Sequence, residues 1–150
     1  MAELRKYCHT LALEGATDMA AALTAAQAPA WNDGAVDYFL RSAAAANWGE
    51  TNSAMLGRIV RDGGPVFCYH TSLPGTDVRM LNYLARESGG AVFSIDSESE
   101  VAAASTAHRQ RPWQILETSW DGTTDVMLAG RPSTLFPGQR LKVVGLSLIH

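Results

Sequence analysis

The chain has 150 residues and a mass of 16.1 kDa, the size of one domain, which leaves no room for separate cofactor and substrate modules. Its 47% hydrophobic and 18% charged residues, with 13 Gly and 6 Pro, exclude the disordered, collagenous and coiled-coil classes. A net charge of −3 and a pI near 5.7 give no global attraction to phosphate backbones or anionic lipid, so neither nucleic acid nor membrane is expected as a partner.

The N-terminal MAELRKYCH develops no apolar signal region, and no apolar run approaches ~20 residues. A cytoplasmic protein is expected, or one delivered by a secretion system that needs no signal peptide. Cys8 and Cys68 belong to no CxxC pair and read as two free thiols in a reducing compartment. Alanine-rich helix formers from Thr10 to Ala28, with Leu11, Met19 and Leu23 on one face, predict a first helix closed by Pro29. Trp31-Asn32-Asp33-Gly34 reads as a turn that caps a second helix, in which Val36, Phe39 and Leu40 fall at i, i+3 and i+4 and which runs to about Ala46. A third helix is predicted over Asn52–Val60, stopped by Asp62-Gly63-Gly64-Pro65.

Beyond that stop the texture changes to short apolar bursts between turn residues. Strands are predicted at Val66–His70, Ala91–Ile95, Trp113–Thr118, Asp125–Leu128 and Leu141–Ile149, and helices at Asp77–Glu87 and Glu98–His108. The order of a helical part (1–62) and a strand-rich part (63–150) predicts one α+β domain, with a mixed, mainly antiparallel sheet, and not an alternating βαβ fold. GxGxxG and Walker patterns are both missing, which excludes those modes of nucleotide binding.

Three segments offer polar chemistry. On the strand Val66–His70 and its continuation, alternation puts Phe67, Tyr69 and Thr71 on one face and Cys68, His70 and Ser72 on the other, so His70 can orient a ligand or sit as a satisfied rim residue. Ser94 and Asp96 can project into a cleft beside His70, while Ser97 and Glu100 have the spacing of a capping box. Arg131 and Arg140 can clamp a phosphate or be ordinary surface arginines. Cysteine catalysis is set aside because Cys68 and His70, two apart on one strand, have poor attack geometry. His9, His70, His108 and His150 lack the tight spacings that suit zinc, so no metal is expected.

In order along the chain, Ala35-Val36-Asp37-Tyr38-Phe39-Leu40-Arg41, the strand ending in His70, Ser94-Ile95-Asp96-Ser97, Ile115-Leu116-Glu117 and Leu135–Val144 with its Pro137-Gly138 resemble the small bacterial mono-ADP-ribosyltransferase toxins and effectors. The resemblance implies an ADP-ribosyltransferase-like fold and NAD as substrate, held by Tyr69, His70, Thr71, Ser94 and Asp96, with ADP-ribose passed to a protein or to water. His70 stands where one branch of that family carries its histidine. The family's catalytic carboxylate precedes the closing phrase, where this chain has Arg131 and Ser133, so Glu117 and Asp125 become the candidate acids with His70. A protein target or a cognate neutralising protein is the implied partner. The rival reading is a non-enzymatic interaction module that binds another protein through its helical half, anchored by Trp31 and Trp48.

Overall fold

A computed structural model describes residues 2–11, 15–27, 34–139 and 141–147, and places five helices and seven short strands among them. The helix expected over Thr10–Ala28 is cut back to its later part, and a helix that was not expected precedes it. Helix α1 (Ala2–Thr10) and helix α2 (Met19–Gln27) are separated by a bend at Gly15, whose φ of +75° suits glycine. Asp18 starts α2 by accepting the Ala21 N–H at 2.9 Å. Asn47 fastens the bend from a distance: its Nδ2 donates to Gly15 O at 2.8 Å and its Oδ1 accepts from Thr17 N at 2.7 Å. Met19 and Leu23 are buried, while α1 buries no residue.

The second expected helix is a strand, β1 (Tyr38–Arg41). Val36, Phe39 and Leu40 fit a helical stripe, but Tyr38 and Leu40 pack against the core and Phe39 is exposed, the two-residue alternation of a strand. Helix α3 (Ser53–Arg61) follows, capped by Asn52 Oδ1, which accepts from Ala54 N and Met55 N. Gly57 in its middle admits the Tyr83 ring, since a Cβ there would stand 2.5 Å from Tyr83 Cε1. Strand β2 (Val66–His70) leads to helix α4 (Val78–Ser88), started by Asp77 and ended by Gly89 at φ +78°. Strand β3 (Ala91–Ser94) and helix α5 (Glu98–Ala107) complete this part.

Strands β1, β2 and β3 are parallel and lie in chain order, so residues 38–94 alternate β-α-β-α-β. This corrects the expectation of a mainly antiparallel sheet without βαβ units, although helices and small sheets of both senses are present. Alternating side chains divide the sheet between two cores. Val66 and Cys68 join Leu56, Val60, Leu81 and Leu84 on the face covered by α2, α3 and α4. Phe67 and Phe93 join Ala104, Ala107 and Phe136 on the face covered by α5. Each large side chain withdrawn from water here contributes about 1.5–3 kcal/mol before conformational entropy is counted.

The remaining strands are short antiparallel pairs: β4 (Trp113–Gln114) with β6 (Thr134–Leu135), and β5 (Thr123–Leu128) with β7 (Val143–Ser147). The strand expected over Trp113–Thr118 is thus only two residues long. The expected turn at 31–33, the closing Pro29 and the end of the last strand at 148–149 lie outside the described residues. No helix among the described residues is long and apolar enough to cross a membrane.

Candidate functional site

Strands β2 and β3 end side by side, with His70 paired to Ser94 in register, and Ile95 N–H donating to His70 O at 2.9 Å. Ligands of parallel sheets collect beyond the carboxyl ends of the strands, where side chains of neighbouring strands and loops converge. A cavity of about 460 Å³ lies there, within the roughly 300–1,000 Å³ of small-molecule sites. His70, Ser72, Asn82, Ser94, Asp96 and Glu100 supply much of its polar wall, and Gln139 and Lys142 close it from the chain segment before β7.

A hydrogen-bonded chain runs along its exposed wall. Ser94 Oγ donates to Asp96 Oδ2 at 3.0 Å, which spends its proton, so at 3.0 Å the Ser72 hydroxyl is the donor to Ser94 Oγ. Ser72 N–H donates to His70 Nδ1 at 3.2 Å, which leaves the proton of a neutral imidazole on Nε2. Ser72 sits at φ +51°, a left-handed conformation that costs a non-glycine residue about 1 kcal/mol and gathers at functional sites. Serine tolerates it here with both its N–H and its hydroxyl engaged. The result is one imidazole, two hydroxyls and one carboxylate on a single connected path.

The helix ends around the cavity are already occupied by their own caps. Glu100 Oε2 accepts from Asp96 N at 2.7 Å and Ser97 N at 3.0 Å, completing the capping box of α5. Asp77 Oδ1 accepts from Met80 N at 2.9 Å at the start of α4. These carboxylates oppose the positive ends of both helices, which makes the helix termini poor phosphate cradles. Lys142 is the cation of the described lining.

Of the residues singled out in the sequence, the structure brings together His70, Ser94 and Asp96. Tyr69 faces the opposite side of the sheet, its ring stacked 5.3 Å from Phe93 and its hydroxyl 3.5 Å from His108 Nδ1. Burial, and secondarily the neighbouring Cys68, raise its phenol pKa. Thr71 is exposed and outside the cavity lining. The two acids proposed for catalysis are also elsewhere: Glu117 is exposed in the irregular stretch after β4, and Asp125 is exposed at φ +52° in an irregularity of β5. Neither lines the cavity; Asp96 and Glu100 do. Arg131 is exposed with its guanidinium 3.9 Å from Met127 Sδ, and Arg140 lies outside the described residues.

Cys68 is buried with its Sγ 3.7 Å from Leu81 O, and burial pushes its thiol up to about 12, so it is no nucleophile. No group of three or more metal-ligating side chains occurs among the described residues. Gln139 escaped the sequence reading: its Oε1 accepts from Phe136 N and its Nε2 donates to Val92 O, pinning the closing segment across to β3. No protein-family model matches the chain, and neither does any curated protein or solved structure.

Proposed function

We propose that the cavity beside His70 binds a ribosyl ligand of the NAD class, and that the chain is an ADP-ribosyltransferase-like effector domain in which Asp96 replaces Glu117 and Asp125 as the acting carboxylate. The observation that carries this reading is the path from His70 through Ser72 and Ser94 to Asp96 along the solvent-exposed wall of the cavity. A carboxylate flanked by hydroxyls is the usual partner of a ribose diol, which offers two donors and accepts in return. The capped helix ends favour recognition through the sugar over recognition through phosphate.

Cleavage of the nicotinamide–ribosyl bond sends the bonding pair to nicotinamide and builds positive charge on the sugar. A fixed anion within hydrogen-bonding reach stabilises that charge, and a side-chain nucleophile of a target protein, or water, forms the new bond and releases its proton to solvent. Asp96 is the anion in this arrangement, and His70 orients the ligand through Nε2. Calorimetric titration with NAD and assay of released nicotinamide test the reading together. Binding is expected to weaken at least tenfold in Asp96→Asn and Ser94→Ala and to be unaffected in Glu117→Ala and Asp125→Ala. Absence of heat at millimolar NAD removes the ligand class.

A second reading, a protein-interaction module, draws on the exposed apolar residues of the helical half: Leu4, Tyr7 and Trp48 are 60%, 62% and 68% accessible. Trp31, the other expected anchor, lies outside the described residues. Binding of a protein through this half would be lost in Trp48→Ala and retained in His70→Ala, the reverse of the ligand's dependence.

A further inference from the structure

The cavity at the ends of β2 and β3 has two unlike sides, because α4 and α5 lie on opposite faces of the sheet. On the α5 side stand Ser94, Asp96 and Glu100, and the closing segment meets the first region there. A Cβ on Gly138 would stand 3.6 Å from that of Ala103, and Gln139 Nε2 donates to Val92 O. This side holds the carboxylates.

On the α4 side the chain comes back as the turn after β5. Gly130 packs so closely on Asn82 that a Cβ there would stand 2.5 Å from Asn82 Oδ1, and its φ of +78° also suits glycine. Leu128 pairs with Val143, and the next residue, Ala129, donates its N–H to Lys142 O at 2.8 Å. The ladder thus fixes the Lys142 backbone beside Ala129, one residue from the contact with Asn82, and Asn82, Ala129 and Lys142 all line the cavity. Asn82 donates one amide proton to Val78 O at 2.8 Å and has a second to offer. Lys142 is exposed and forms no ion pair among the described residues. Its charge is left for a ligand.

Resting on the reading of this cavity as a ribosyl site, with the sugar hydroxyls at Ser94 and Asp96, we propose that Lys142 is a specificity residue that binds a phosphate of the ribosyl ligand, so that the site prefers a nucleotide to the matching nucleoside. An ammonium is a compact point charge with three rotatable donors, suited to a phosphate that stays partly in water. The helix N-termini that could compete for the phosphate are occupied by Asp77 and Glu100. Like charge repels the phosphate from the α5 side, so the arrangement that holds the sugar at Asp96 sends the anionic group toward Lys142.

Calorimetric titration of the full chain with nicotinamide riboside and with nicotinamide mononucleotide, which differ by a phosphate, tests this role. The wild type is expected to bind the mononucleotide about tenfold more tightly, the scale of one charge-assisted hydrogen bond. Lys142→Met is expected to erase that preference and leave riboside binding as it was, whereas Lys142→Arg should keep it. The side chain is exposed, so circular dichroism should report one fold for all three chains. Equal affinity for the two ligands in the wild type overturns the proposal, as does a preference that survives Lys142→Met or an equal loss of both ligands in that variant. Riboside binding to the wild type leaves the ribosyl reading standing through each of these results. If neither ligand binds at millimolar concentration, that reading falls and the role of Lys142 falls with it.

Discussion

Residues 38–107 and residues 113–147 are both rich in short strands, but only the first group has built an interior. Each of β2 and β3 in the first region is covered by helices on its faces and contributes buried side chains. Among the described residues of 113–147, Phe136 alone is buried. It reaches back to the first region, with its ring 5.2 Å from Phe67 in an edge-to-face contact. Alternation of apolar and polar residues makes a strand possible; a helical layer over the sheet makes it stable without a partner.

Substitution at matched leucines should break this symmetry most visibly. Leu81→Ala, at a fully buried position, is expected to cost about 2–5 kcal/mol in urea unfolding, whereas Leu116→Ala, at an 87% exposed position, should change stability by no more than ~0.5 kcal/mol. Equal effects would mean that the second region folds around its own interior.

Alkaline titration probes the interior of the first region through Cys68, with the exposed Cys8 of α1 as reference. The Cys68 thiol has an ordinary value of 9.0 and is pushed to about 12 by burial. Above pH 9.0 the unfolded chain therefore loses this proton while the native chain keeps it. The contribution to stability is complete below pH 9.0 and falls as pH rises toward 12, by about 1.4 kcal/mol per pH unit. Cys68→Ala should remove that slope. At neutral pH iodoacetamide should label the exposed Cys8 and spare Cys68 until the chain unfolds.

The cap of α3 gives a smaller effect: Asn52→Ala should lower stability by about 1 kcal/mol, read from urea midpoints, because Ala54 and Met55 N–H groups lose their acceptor. The smallest concerns Arg61 and Glu87, which join α3 to α4. The hydrogen bond from Arg61 holds the Glu87 carboxyl below its ordinary 4.5, so its contribution is present above pH 4.5 and lost as pH falls through the depressed value. Arg61 is exposed, so salt should abolish this acid sensitivity in thermal melts.

Helices α3, α4 and α5 were legible because their ends are written locally in Asn52, Asp77, Gly89 and the Ser97–Glu100 box. Strand β1 was not, since Phe39 and Leu40 satisfy both helical and strand periods and only its pairing with β2, some 28 residues on, decides between them. The parallel sense of the sheet was hidden for the same reason. At the site, alternation on β2 put His70 and Ser72 on a common face, and the spacing of Ser94 and Asp96 from their strand end put both within reach. Asn82, Gln139 and Lys142 reach the cavity from α4 and from the closing segment, and nothing local in the sequence marks them. Glu117 and Asp125 were drawn from order along the chain, which does not fix distance in space.

The proposed ligand site is the crevice at the ends of β2 and β3. Titrating NAD into isotopically labelled protein and following backbone amide resonances tests it most directly. Saturable shifts at Ser72, Ser94 and Asp96, with Thr123–Leu128 unmoved and the response gone in Asp96→Asn, are the predicted result. Unperturbed amides around His70, or shifts confined to the C-terminal ladder, would contradict it.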